Sequence, residues 1–229
     1  MARRPILMVS SAVFGFEELL DRLYAILDSL GFEVWMSHKG TVPVDSSLSA
    51  LENCRQVVEA CDLFLGIILP RYGSGIERDG GESITHEEIR YAIANEKPRW
   101  ILAHEHVVVA RALLRNLGFG SPEDRQALMA RTDDEGKSLF KRKPPLDDLR
   151  IIDLYELATR HDVRLEHRRG NWVQTFVTDG DALLFATSQF RRYQEAEAFA
   201  RGTIGDADTL IDEIDRRSGR DPEGSSETP

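Results

Sequence analysis

Only two of the 229 residues are cysteine, and positive charge is scarce, with 29 Lys and Arg against 39 Asp and Glu. Nowhere does the chain run apolar for the roughly 18 residues that would suggest a membrane span. Each shortage excludes something. Cys54 and Cys61 fall on apolar positions of one expected helix, which suits core packing in a reducing compartment and not a disulfide framework or a zinc cluster. The net charge of −10 repels a phosphate backbone, so nucleic acid is not an expected partner, and Lys141-Arg142-Lys143 reads as a solvated turn. Met1–Arg4 leads straight into a short β-like run, Pro5–Ser11, without the charged-then-apolar pattern of a leader. A cytoplasmic protein without a membrane partner is expected. The length and the 41% hydrophobic content allow one sizeable core with an insertion and a tail.

The first hundred residues or so are rich in alternation between short apolar runs and amphipathic periods, the pattern of a parallel sheet covered on both faces by helices. Ile6-Leu7-Met8-Val9 is a buried strand, and Phe16, Leu19, Leu20, Leu23, Ile26, Leu27 and Leu30 recur at helical spacing up to Gly31. Phe32–Ser37 is a second strand. Ser46 is expected to cap a second helix whose inward stripe is Leu48, Leu51, Cys54, Val57, Val58 and Cys61. Leu63–Leu69, nearly all apolar, is the central strand. A Gly-rich and charged loop follows, then a helix from about Thr85 to Asn95, a strand at Trp100–Ala103 and a helix at His106–Leu117. An exposed insertion at about 119–147 is expected to hold a short helix near Pro122–Arg131. Asp147–Arg160 has helical spacing, although Ile151–Tyr155 also passes for a strand. Trp172–Val177 is a fifth strand, Asp181–Phe199 a final helix with Leu184, Thr187, Phe190 and Tyr193 on its face, and Asp206–Arg217 a solvated helix before a disordered tail. The expected organisation is therefore one α/β domain over 1–200 and a tail over 201–229. Its sheet is flavodoxin-like, five-stranded and parallel, in the order 2-1-3-4-5.

In such a sheet ligands collect outside the carboxyl ends of the strands, where strand order reverses and two loops diverge. Three loops qualify: Ser10-Ser11-Ala12-Val13-Phe14-Gly15, Ser37-His38-Lys39-Gly40, and Arg71-Tyr72-Gly73-Ser74 with the helix start at Thr85–Glu88. Together they offer hydroxyls, backbone amides, cations, rings and one carboxylate. Amides, Arg71 and Lys39 suit phosphates, Phe14 or Tyr72 suits stacking, and Glu88 suits ribose hydroxyls.

Val9-Ser10-Ser11, then Cys61-Asp62-Leu63-Phe64-Leu65-Gly66-Ile67 leading into Arg71-Tyr72-Gly73-Ser74, then Thr85-x-x-Glu88-x-x-x-Ala92 and Lys97-Pro98, form an ordered set over about residues 5–105. This set resembles the Toll/interleukin-1-receptor-like (TIR-like) family catalogued as domain of unknown function 4062. NAD-hydrolysing TIR domains and the nucleoside 2-deoxyribosyltransferases carry a catalytic glutamate in a similar Glu-x-x-x-Ala helix start. The resemblance thus implies a catalytic Glu88, NAD as substrate with no cofactor and no metal, and a place in bacterial immunity or stress signalling. The loops at the strand ends supply the expected substrate contacts: Ser10, Ser11, Phe14, His38, Lys39, Arg71, Tyr72, Gly73 and Ser74. NAD, ADP-ribose or another nucleotide is the implied partner, with a second copy of the chain. A non-catalytic nucleotide-sensing or self-assembling module, and a deoxyribosyltransferase-like enzyme, remain alternatives.

Plainer roles compete at each position. Thr85-x-x-Glu88 is equally a capping box, with Thr85 as cap and Glu88 bonding back to it. Glu87 is the other acid of that turn, pointing about 100° away. Arg71 and Tyr72 also suit a strand terminus, Ser10 and Ser11 helix caps, and His38 and Lys39 a solvated loop. His104-Glu105-His106 lacks a further ligand cluster, so no metal is expected there.

Overall fold

The computed structural model describes residues 3–74, 81–141 and 143–193. The chain divides into two compact units, Met1–Thr187 and Ser188–Pro229. In the second, residues 188–193 are helical, and the remaining expectations for 194–229 lie outside the described residues.

The apolar runs expected as strands all pair. β1 (Ile6–Ser11), β2 (Glu33–Trp35), β3 (Leu63–Ile68), β4 (Arg99–His104) and β5 (Val173–Phe176) form one parallel sheet in the order β2-β1-β3-β4-β5. The architecture is flavodoxin-like. Between the strands lie α1 (Glu17–Ser29), α2 (Ala50–Ala60), α3 (Ile84–Ala94) and, in the long β4–β5 connection, α4 (Glu105–Asn116), α5 (Pro122–Met129) and α6 (Arg150–Ala158). Ile151–Tyr155 is thereby helical.

Alternation along the strands separates two buried faces. Ile6, Met8, Phe64, Ile68, Ile101 and Ala103 pack with Val57 and Val58 of α2, Ile89 and Ile93 of α3, Val107 of α4 and Ile152 of α6. Leu7, Val9, Leu63, Leu65 and Ile67 are buried on the opposite face, as are Leu19, Leu20, Leu23 and Leu27 of α1.

Several local expectations are corrected by tertiary contacts. The cap of α2 is Ser49, not Ser46; its hydroxyl and Glu52 form a reciprocal capping box. Leu51 is consequently exposed, and Asn53 takes the inward position, its amide donating to the carbonyls of Asp45, Leu48 and Ser49. In the helical stretch 179–187, Ala182, Leu183 and Ala186 are buried and Leu184 faces out. The insertion is not merely an exposed excursion, because Arg125 on α5 is fully buried and bridges to Asp153 and Glu156 of α6. Among the described residues no helix is long and apolar enough to cross a membrane, and no three His, Cys, Asp or Glu side chains could hold a metal ion.

Candidate functional site

The strand order reverses between β1 and β3, and their register sets Ser10 opposite Gly66. Two small residues side by side leave a shallow place in the sheet. A methyl on Gly66 would stand 2.8 Å from Cδ1 of Ile101 and 3.2 Å from Cγ1 of Ile89, so α3 lies as close to the sheet as a glycine permits. This approach delivers Glu88 to the end of β1. Its Oε2 accepts a hydrogen bond from Ser10 Oγ at 2.6 Å, and the Cys54 thiol of α2 bonds to the same carboxyl.

Glu88 is buried, and no ion pair reaches it among the described residues. Burial pushes its pKa up to about 7, against the opposing pull of the Ser10 and Cys54 hydrogen bonds. Burial and the neighbouring Glu88 carboxyl push the Cys54 thiol up to about 12. The adjacent acid behaves differently. Burial alone would raise Glu87 too, but hydrogen bonds and ion pairs from Arg55 and Arg90 outweigh it and hold that carboxyl below its ordinary range.

The capping-box role of Glu88 is overturned. Ser83 is the cap of α3, in extended backbone, and its Oγ accepts from His86 N, while Ile84 N bonds to Ser74 O at 3.0 Å. Thr85 is already inside the helix, and Glu88 lies two residues beyond His86, the position from which a side chain can bond back to the cap.

The loop residues divide into groups. Gly73, at φ +89°, packs against Thr85 and Ala12, closing the seam between the β1 and β3 loops. Phe14 is 75% exposed at the lip of this seam, with the Arg71 guanidinium 5.7 Å from its ring centre and Asp147 3.8 Å from Arg71. Ser74 is exposed beside them. Ser11, by strand alternation, faces the other side of the sheet from Ser10, and its hydroxyl donates to the Ala12 carbonyl. His38 and Lys39 both pair with Asp21 of α1, at 2.8 and 3.1 Å, so they are engaged with that helix. Tyr72 is buried and turns away from the lip. Its ring lies edge-on to His86 and beneath the guanidinium of Arg150, 4.2 Å from the ring centre, in the wall of a cavity of about 590 Å³ between α3, α5 and α6.

Nothing in the local sequence marks Cys54, His86 or Arg150 as a site residue. Cys54 carried the apolar spacing of a core residue, and nothing local signals which carboxyl it will meet. His86 was hidden in a polar helix start, and Arg150 enters through the packing of α6. His104, by contrast, is accounted for. Its ring nitrogen caps α4 and its ring packs edge-on against Phe176.

These features define a doubly wound α/β protein whose reversal point holds a buried carboxyl bonded to Ser10 and Cys54. Within that class the family can be stated. Residues 7–139, more than half of the chain, match the family described as domain of unknown function (DUF4062), and the chain belongs to it. No curated protein and no solved structure matches the chain.

Proposed function

We propose that the protein is a nucleotide-processing N-glycosidase of the TIR-like kind, cleaving the nicotinamide–ribose bond of NAD with Glu88 as its catalytic carboxyl. One observation carries this reading: the buried Glu88 carboxyl, hydrogen-bonded to Ser10 and without a cationic partner among the described residues, sits beside the β1/β3 reversal point with a pKa of about 7. When the C1′–N bond breaks, its electron pair leaves with nicotinamide and positive charge develops on the ribose. A carboxylate beside that carbon stabilises the cation until water adds and gives up a proton, leaving ADP-ribose. Ser10 steadies the ionised form. Phe14 and Arg71 at the lip offer a face for a base and a charge for phosphate.

Incubated with NAD at high protein concentration, the chain should release nicotinamide, with a rate that rises as pH passes through about 7 and Glu88 ionises. Glu88→Gln should stop it without unfolding the protein. Undiminished turnover in that variant would reject Glu88. A second reading is favoured by the closure of the carboxyl, which is held by Ser10 and Cys54 within the protein. In that case the lip binds a nucleotide without chemistry, as a sensing or self-assembling module. NAD or ADP-ribose then raises the melting temperature or drives association, and no product forms. Base exchange on nucleosides would instead mark a deoxyribosyltransferase.

A further inference from the structure

The cavity behind Tyr72 is separate from the carboxyl at the reversal point. His86 and Glu88 are two positions apart on α3 and so face about 200° apart. The cavity, at about 590 Å³, has the size of a small-molecule site. Two of its polar atoms are unusual. Among the described residues, the Tyr72 hydroxyl and His86 Nδ1 are buried without a hydrogen-bond partner, in residues only 5% and 7% exposed. The Ser83 amide lies near the Tyr72 hydroxyl without reaching hydrogen-bonding geometry. Two orphans on neighbouring rings are rare in a folded interior, because each forfeits its bonds to water and gains none.

The rest of the lining says what kind of group would complete them. Every charged side chain on the wall already has its counter-charge. Arg150 grips Asp148 through two hydrogen bonds, Glu82 pairs with Arg90, and Asp153 pairs with Arg125. The two orphans are themselves neutral at pH 7, since burial lowers the His86 pKa and raises that of Tyr72. Planar groups line it, with the Tyr72 ring edge-on to His86 at 5.7 Å and the guanidinium of Arg150 over the Tyr72 ring. Met129 and Pro122 supply apolar surface, and Gln126 is exposed at the mouth.

We infer that this cavity binds a neutral, planar nitrogen heterocycle bearing a hydrogen-bond donor next to an acceptor, a nucleobase or heterocyclic amide, which pairs with Tyr72 Oη and His86 Nδ1. An anion would meet three carboxylates, and a cation would meet no unspent one. The inference does not depend on Glu88.

The test is calorimetric titration of the full chain with adenine, adenosine, nicotinamide and, as a flat anion, benzoate. Saturable binding is expected for adenine or nicotinamide and not for benzoate; binding of adenosine as well as adenine would show that the mouth admits a sugar. Tyr72→Phe, which removes only the hydroxyl, should weaken binding roughly fivefold while leaving the empty protein as stable as before or more so. Gln126→Trp, at the exposed mouth, should block binding with the circular-dichroism spectrum unchanged. The inference is overturned by the absence of saturable binding, by equal binding of benzoate, or by binding that survives both Tyr72→Phe and Gln126→Trp. Binding that survives those two but is lost in Glu88→Gln also overturns it, and places the ligand at the reversal point.

Discussion

Among single residues, Glu88 has the most distinctive physical chemistry. A carboxyl whose folded pKa lies near 7 and whose unfolded value is 4.5 binds more protons in the native state between those two values. Stability from this group is therefore fully present below pH 4.5 and is lost as pH rises through about 7. Comparing urea unfolding of the parent chain and Glu88→Gln isolates the term from the other carboxylates. The variant should gain relative stability between pH 5 and 8, by on the order of 3 kcal/mol. A pH-independent difference would mean that the carboxyl is solvated in solution. Glu87, one residue earlier, shows how much environment decides, because Arg55 and Arg90 hold its carboxyl on the opposite side of the ordinary value.

For the elements, the decisive contacts are between helices that the sequence does not place next to each other. Arg125 on α5 is 2% exposed and bonds Asp153 and Glu156 on α6, while Arg111 on α4 shares Glu156. This cluster joins the β4–β5 connection into one layer. Truncating its centre leaves the part-buried Asp153 without its cation, while Glu156 keeps Arg111, so Arg125→Ala should cost on the order of 2 kcal/mol in urea unfolding. A loss below about 0.5 kcal/mol, the range of ordinary surface substitutions, would show that the cluster is wet. The existence of α5 was legible from Pro122 and its polar turn chemistry. Its burial was not, because Arg125 has no apolar signal and its partners lie 28 and 31 residues away. The cap of α2 was misplaced for a related reason: Ser46, Ser47 and Ser49 are equally good caps locally, and the fit of Asn53 against the Asp45 turn selects the last.

For the whole molecule, the net charge of −10 sets the behaviour toward polyanions. The chain should not retard duplex DNA in a gel at physiological salt, and retardation that weakens with added salt would reveal a basic face hidden by the total. The sequence by itself determined the strand and helix order, the parallel sheet with its reversal between β1 and β3, and the location of Glu88 beside it. All of these follow from apolar periodicity and from right-handed crossovers, which are local or nearly local. Only the tertiary structure decided what each candidate side chain meets. Through the close approach permitted by Gly66 it joined Glu88 to Ser10 and Cys54, tied His38 and Lys39 to Asp21, and turned Tyr72 away from the lip into a cavity with His86. Those outcomes depend on how helices seat on the sheet and on one another, a matter of packing between residues distant in the chain, which no local pattern encodes.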